Sequence, residues 1–159
     1  MTTPPNLDTL YLKLTRYCSF QERCSRDVEQ KLREWKVPER DAGRLIQRLK
    51  RDGFLDELRF ARSFARGKFR VNRWGRVRIR YELQGRGIPD PVVSEALREI
   101  GEEEYLETIG DLIRKKKAEI KSEKTLNIRE KIITFVVGKG FETELVLRAL
   151  NETKIEDGN

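Results

Sequence analysis

An all-α fold is predicted, made of three tandem three-helix repeats forming an elongated, curved helical array. Three observations predict it. Apolar residues recur at three- and four-residue spacing, and no segment shows sustained period-two alternation. One apolar register also appears three times. Val28, Leu32, Val37, Pro38, Ala42, Ile46 and Leu49 return 51 residues later as Ile79, Leu83, Ile88, Pro89, Val93, Leu97 and Ile100. From there Ile79, Leu83, Gly87, Ile88, Val93, Ala96 and Leu97 become Ile132, Val136, Gly140, Phe141, Val146, Ala149 and Leu150 after a further 53 residues. Finally, the glycines repeat with the apolar positions: Gly85-Arg86-Gly87 and Gly138-Lys139-Gly140 each follow a helical run, where a left-handed helix end favours glycine.

Leu10, Leu14 and Tyr17 line one face of a first helix over about 7–22. Val28, Leu32 and Trp35 line a second, which starts near Cys24 or Ser25. Pro38 suits the first position of a third helix, which carries Ala42, Leu45, Ile46 and Leu49 inward until Gly53 stops it near Arg51. Asp56 is an N-cap for the next helix, whose inner side is Phe60, Ala61, Phe64 and Ala65. Gly53-Phe54-Leu55 is echoed by Glu104-Tyr105-Leu106. The repeats are expected over 7–52, 54–100 and 102–152, with a frayed tail over 153–159. Units of this size bury little core alone, so they should stack directly.

Charge is unevenly distributed. The chain has 159 residues and a net charge of +7, yet residues 59–88 alone carry ten basic and one acidic side chain. A field of that kind attracts polyanions. Cys18 and Cys24 form no CxxC pair and there is no histidine, so no standard zinc spacing exists and two reduced thiols are expected. The N-terminal residues Met1 to Asp8 lack the basic and apolar runs of a signal peptide, and the longest apolar stretch, Ile132 to Val137, is too short to span a bilayer. A cytoplasmic protein that makes no membrane contact is expected.

Without histidine, the commonest general base at neutral pH is missing, and no nucleophile elbow, phosphate loop or metal cluster occurs. The expectation is a binding protein, not an enzyme, with no cofactor and no metal. Its candidate surface is a basic stripe. Arg59, Arg62, Arg66, Lys68, Arg70, Arg73, Arg76, Arg78 and Arg80 place nine cations in 22 residues with no acid between them. Arg59, Arg62, Arg66, Arg70 and Arg73 fall on one helix face, where unneutralised like charges destabilise a helix by a few tenths of a kcal/mol per pair. Arginine's planar fork suits phosphate and carboxylate alike. Trp74, inside the stripe, reads either as a stacking residue or as core. Glu102-Glu103-Glu104 and Lys115-Lys116-Lys117 sit near opposite ends of a predicted helix, where each complements its dipole.

The segment Gly53-Phe54-Leu55-Asp56-Glu57-Leu58-Arg59-Phe60-Ala61 resembles the most recognisable stretch of the RecX family, regulators of the RecA recombinase. Trp74-Gly75 with Ile79, Leu83 and Gly87-Ile88-Pro89 resembles the stretch that follows it, and Arg23-Cys24-Ser25 with Val28 and Leu32 resembles the family's opening motif, where Ser usually follows the Arg directly. The resemblance is clear over 10–100. It implies a nine-helix, three-repeat protein that binds RecA filaments on single-stranded DNA and limits their growth or promotes their disassembly, damping recombination and the SOS response. It carries no catalytic residues. The expected contacts with filament or nucleic acid are Arg59, Arg62, Arg66, Lys68, Arg70, Arg73, Trp74, Arg76 and Arg80, with weak binding to double-stranded DNA also expected and a monomeric chain. The alternative is a sequence-independent DNA-binding helical protein of helix-turn-helix type.

Overall fold

A computed structural model describes residues 6–121 and 127–153. The described residues form nine α-helices and no strand: α1 (Leu7–Phe20), α2 (Ser25–Glu34), α3 (Glu39–Arg51), α4 (Glu57–Arg70), α5 (Arg76–Gly85), α6 (Asp90–Leu97), α7 (Glu102–Lys121), α8 (Ile128–Gly138) and α9 (Thr143–Glu152). The broad helix–helix contacts fall inside the triplets α1–α3, α4–α6 and α7–α9. The predicted fraying beyond Thr153 concerns residues outside those described.

Local chemistry sets most helix ends. The Asp56 carboxylate accepts the Arg59 N–H at 3.0 Å and caps α4 as expected. Cys24, not Ser25, is the N-cap of α2, and its N–H donates to Asp27 Oδ2 at 3.0 Å. Two boundaries differ from the sequence reading. Helix α1 stops at Phe20, because Gln21 is extended and the Arg23 side chain turns back to donate to the Tyr17 carbonyl at 3.1 Å and lie over its ring. Pro38 is the N-cap of α3, with ψ 144°. Pro89 does the same for α6, so in both the helix begins one residue later.

The triplets bury their apolar faces in two clusters. Leu10, Tyr11, Leu14, Cys18, Val28, Leu32, Val37, Leu45, Ile46, Leu49 and Leu55 make the first, entirely from the N-terminal third of the chain. The second and third triplets share one larger core, centred on Ile79, Leu83, Tyr105, Ile109, Ile132 and Phe141, and Cys24 is the one buried residue that the first triplet adds to it. Both cysteines are free and buried, and burial pushes their thiols up from the ordinary value. Trp35, expected in the core, is only half-buried, with Lys13 Nζ 5.7 Å from its ring centre.

The joints differ in kind. Between the first and second triplets the ties are polar. The Ser25 N–H donates to Glu57 Oε1 at 2.8 Å, the Arg26 guanidinium donates to the Gly85 carbonyl, and Arg86 pairs with Asp27 at 3.4 Å. Between the second and third, backbone meets backbone: Gly75 N–H donates to the Lys139 carbonyl and Val77 N–H to the Gly140 carbonyl, each at 2.9 Å.

The repeated helix-end position is left-handed in all three triplets: Gly87 at φ +79°, Gly140 at φ +100°, and in the first, Lys36 at φ +57°. A side chain there costs about 1 kcal/mol, part of which glycine returns through its freer unfolded chain. Lys36→Gly is therefore expected to raise stability by about 0.5 kcal/mol, read as a higher urea midpoint. An unchanged or lower midpoint means that Lys36 has a compensating contact.

Candidate nucleic-acid interface

Helix α4 turns Phe60, Ala61, Ala65 and Phe69 into the core, which leaves Arg59, Arg62, Arg66 and Arg70 along its outer side. The sequence contains no acid within the stripe, but the fold brings acids to it. Helix α6 packs along α4 and carries Glu95 just before, and Glu99 just after, its end. Arg62 lies 3.7 Å from Glu95 and 3.0 Å from Glu99, and Arg66 lies 3.2 Å from Glu99. Arg62 Nε is close to Glu99 but out of line for a hydrogen bond. Arg70 pairs with Glu104 of α7 at 3.5 Å, and Arg59 with Glu22 after α1 at 2.6 Å. The four-residue spacing of Glu95 and Glu99 matches that of Arg62 and Arg66, a match that gains meaning only once α6 lies along α4. All these pairs keep solvent contact, so each stabilises the fold by about 0–1 kcal/mol at most. Their larger effect is to give the α4 face alternating signs in place of a single positive field.

Arg76 is drawn further in. Its guanidinium lies over the Tyr105 ring at 3.8 Å and bridges Glu102 at 2.5 Å and Glu142 at 3.1 Å. Arg80 donates to Ser94 Oγ at 3.3 Å and, with Arg76, faces a cleft of about 510 Å³ beside the exposed Val77 and Tyr81.

The remaining members are different. Arg73 is exposed and left-handed, at φ +54°. Trp74 is half-buried against the core, its ring approached by Lys68 Nζ at 4.9 Å and by the Arg78 guanidinium at 4.0 Å, so cations already occupy the surface a base would stack on. Next to Arg78 stands Lys139 of the Gly-Lys-Gly turn. Burial lowers its ammonium below the ordinary lysine range, and Lys115, Arg78 and Arg73 lower it further. Lys115 and Lys139 lie far from the stripe along the chain, and only the fold brings them towards its Arg73 and Arg78.

Among the described residues no group of His, Cys, Asp or Glu is arranged to hold a metal ion, and no helix is long and apolar enough to cross a membrane. The architecture is that of a tandem three-helix-repeat protein with a charged central unit.

Residues 56–97, which span α4 to α6, match the family model described as RecX, second three-helix domain. The chain is 29% identical over 146 residues to the regulatory protein RecX of Bacillus cereus (strain B4264), and 28% identical over the same length to that of Bacillus cytotoxicus. In each case the match covers 92% of this chain and 54% of the relative, so the chain spans about half the length of these relatives. The crystal structure of RecX from Lactobacillus salivarius superposes with a TM-score of 0.83 at 23% identity, covering 93% of this chain and 96% of that one. A second crystal structure of regulatory protein RecX gives 0.82 at 22% identity, over 91% and 71%. The chain is thus similar to RecX proteins, in sequence over 92% of its length and in fold over more than nine-tenths of it.

Proposed function

We propose that this protein regulates a RecA-type recombinase by binding its filament on single-stranded DNA, limiting filament growth or promoting disassembly, as a cytoplasmic binding protein without turnover. The observation that carries the reading is the RecX match to residues 56–97, the helices that bear most of the basic stripe. The α4 face supports it. Its ladder of Arg62, Arg66, Glu95 and Glu99 offers both signs at fixed spacing, the kind of surface that selects a complementary protein partner and discriminates against wrong ones. A second reading, a sequence-independent DNA-binding protein, is favoured by the cations around Trp74.

RecA ATPase on single-stranded DNA, with this protein titrated in, separates the two. Inhibition at substoichiometric amounts is expected. ATPase and strand exchange untouched at equimolar protein would remove the filament reading and leave the second. The residue-level check is Arg62→Gln with Arg66→Gln. Glutamate at these positions would face Glu95 and Glu99 and disturb the fold itself, whereas glutamine keeps the packing, with stability expected to hold within about 1 kcal/mol. Inhibition should weaken several-fold. Full inhibition by a folded double variant would show that the ladder is only a solvated surface.

A further inference from the structure

We infer that the joint between the second and third triplets docks the phosphodiester backbone of a nucleic-acid strand, through Lys68 and Arg78, which flank Trp74, together with Arg73, Lys115 and Lys139. The inference rests on the filament-on-DNA reading above and deepens it, assigning DNA contact to the joint and protein contact to the α4 face.

Three features of the joint carry it. Lys68 at the end of α4, Arg73 in the turn and Arg78 in α5 form one run of chain, and the fold adds to it two cations from far along the sequence, Lys115 of α7 and Lys139 at the end of α8. The Gly75 N–H bond to the Lys139 carbonyl and the close seat of Gly140 on Arg78 fix Lys139 beside Arg78, while Trp74 holds Lys68 and Arg78. Next, none of the five has an ion-pair partner among the described residues, whereas Arg59, Arg62, Arg66, Arg70 and Arg76 all do. Finally, unfavourable features persist here. Arg73 holds a left-handed backbone that costs an arginine of order 1 kcal/mol, and Lys139 is crowded by like charge. The like-charge crowding is what a ligand would relieve, and a polymeric anion of one sign relieves it best. On the α4 face the same polymer would meet Glu95, Glu99 and Glu104.

The test measures binding of an end-labelled oligothymidylate to the full chain across a salt series, with no recombinase present. Each lost phosphate contact lowers the slope of log affinity against log salt by about 0.7 for a single strand. Arg78→Gln with Lys115→Gln and Lys139→Gln is expected to lower the slope by about 2 and to weaken binding at least tenfold. Arg62→Gln with Arg66→Gln should lower it by less than half as much. Lys68→Gln with Lys115→Gln, both away from the glycine contact, provides a second variant with an expected fall of about 1.4. An unchanged slope and affinity in the folded variants overturns the inference, and it does so equally if recombinase inhibition is lost while DNA binding stays, since the joint would then meet an acidic protein surface. A wild-type chain that leaves recombinase ATPase alone yet shows these slope changes would sink the filament reading and keep this one.

Discussion

Alanine at Gly140 lowers the stability of the fold by about 3 kcal/mol or more, and alanine at Gly75 by a similar amount. Both follow from the backbone contact between the second and third triplets. A Cβ at Gly75 collides with the carbonyl group of Gly140 and the amide of Phe141, and one at Gly140 collides with the backbone and Cβ of Arg78. In each case the obstacle is main chain, which cannot swing aside as a side-chain tip does. Gly140 carries a further penalty because φ +100° is left-handed. The two hydrogen bonds across the contact are lost with it. On a chain of this size the melting temperature should fall by roughly 6–12 °C for either variant. The double variant should fall by less than the sum, since both changes break one contact. Gly43→Ala and Gly67→Ala are the controls. Both glycines lie exposed inside helices with nothing within 4 Å of the added carbon, and both changes should raise stability by about 0.5–1 kcal/mol. A melting temperature for Gly140→Ala equal to the wild type's would mean that the joint is loose in solution.

Helix spacing and the recurrent glycines made the architecture legible, because both are local: an apolar stripe every three or four residues and a left-handed stop state their geometry within a few residues. Gly87 and Gly140 take the positive φ that their position after a helix implied. What failed to show was whatever depends on which helices lie side by side. The α4 stripe carries no acid in its own segment, and only the packing of α6 along α4 reveals that Glu95 and Glu99 stand beside Arg62 and Arg66. Tyr11 escaped notice for a related reason. It lies off the Leu10–Leu14–Tyr17 line, and becomes buried because Phe54 meets it edge-on and its hydroxyl donates to Asp52, 41 residues away. Trp74 illustrates the limit of residue type as a signal, since an aromatic in a basic run reads as a stacking platform until its ring is found already faced by two cations.

Tyr105→Phe is expected to lower stability by about 2 kcal/mol at neutral pH while leaving the fold intact. Tyr105 is fully buried, and its ring packs between Phe69 of α4 at 5.8 Å and Phe141 at 5.1 Å, contacts that phenylalanine preserves. The hydroxyl donates to the Glu142 carboxylate and accepts the Arg76 N–H at 3.0 Å, so its loss strands a donor at the first turn of α5. The same group governs alkaline stability. Burial, then the hydrogen bond to Glu142, raises the Tyr105 phenol above the usual tyrosine value, and burial with the Asp52 bond pushes Tyr11 up to about 12. A raised value means that the folded state holds its proton where the unfolded chain has released it. The stabilisation is therefore complete below about pH 10 and is lost as pH climbs through about 12. Urea unfolding at stepped pH should show the wild-type midpoint falling over that interval, less steeply in Tyr105→Phe, and least when Tyr11→Phe is added, with Tyr17, Cys18 and Cys24, also raised by burial, contributing to what remains. If Tyr105→Phe matches the wild type in both midpoint and alkaline slope, the hydroxyl does not tie the second triplet to the third, and the joint is held by its glycines and rings alone.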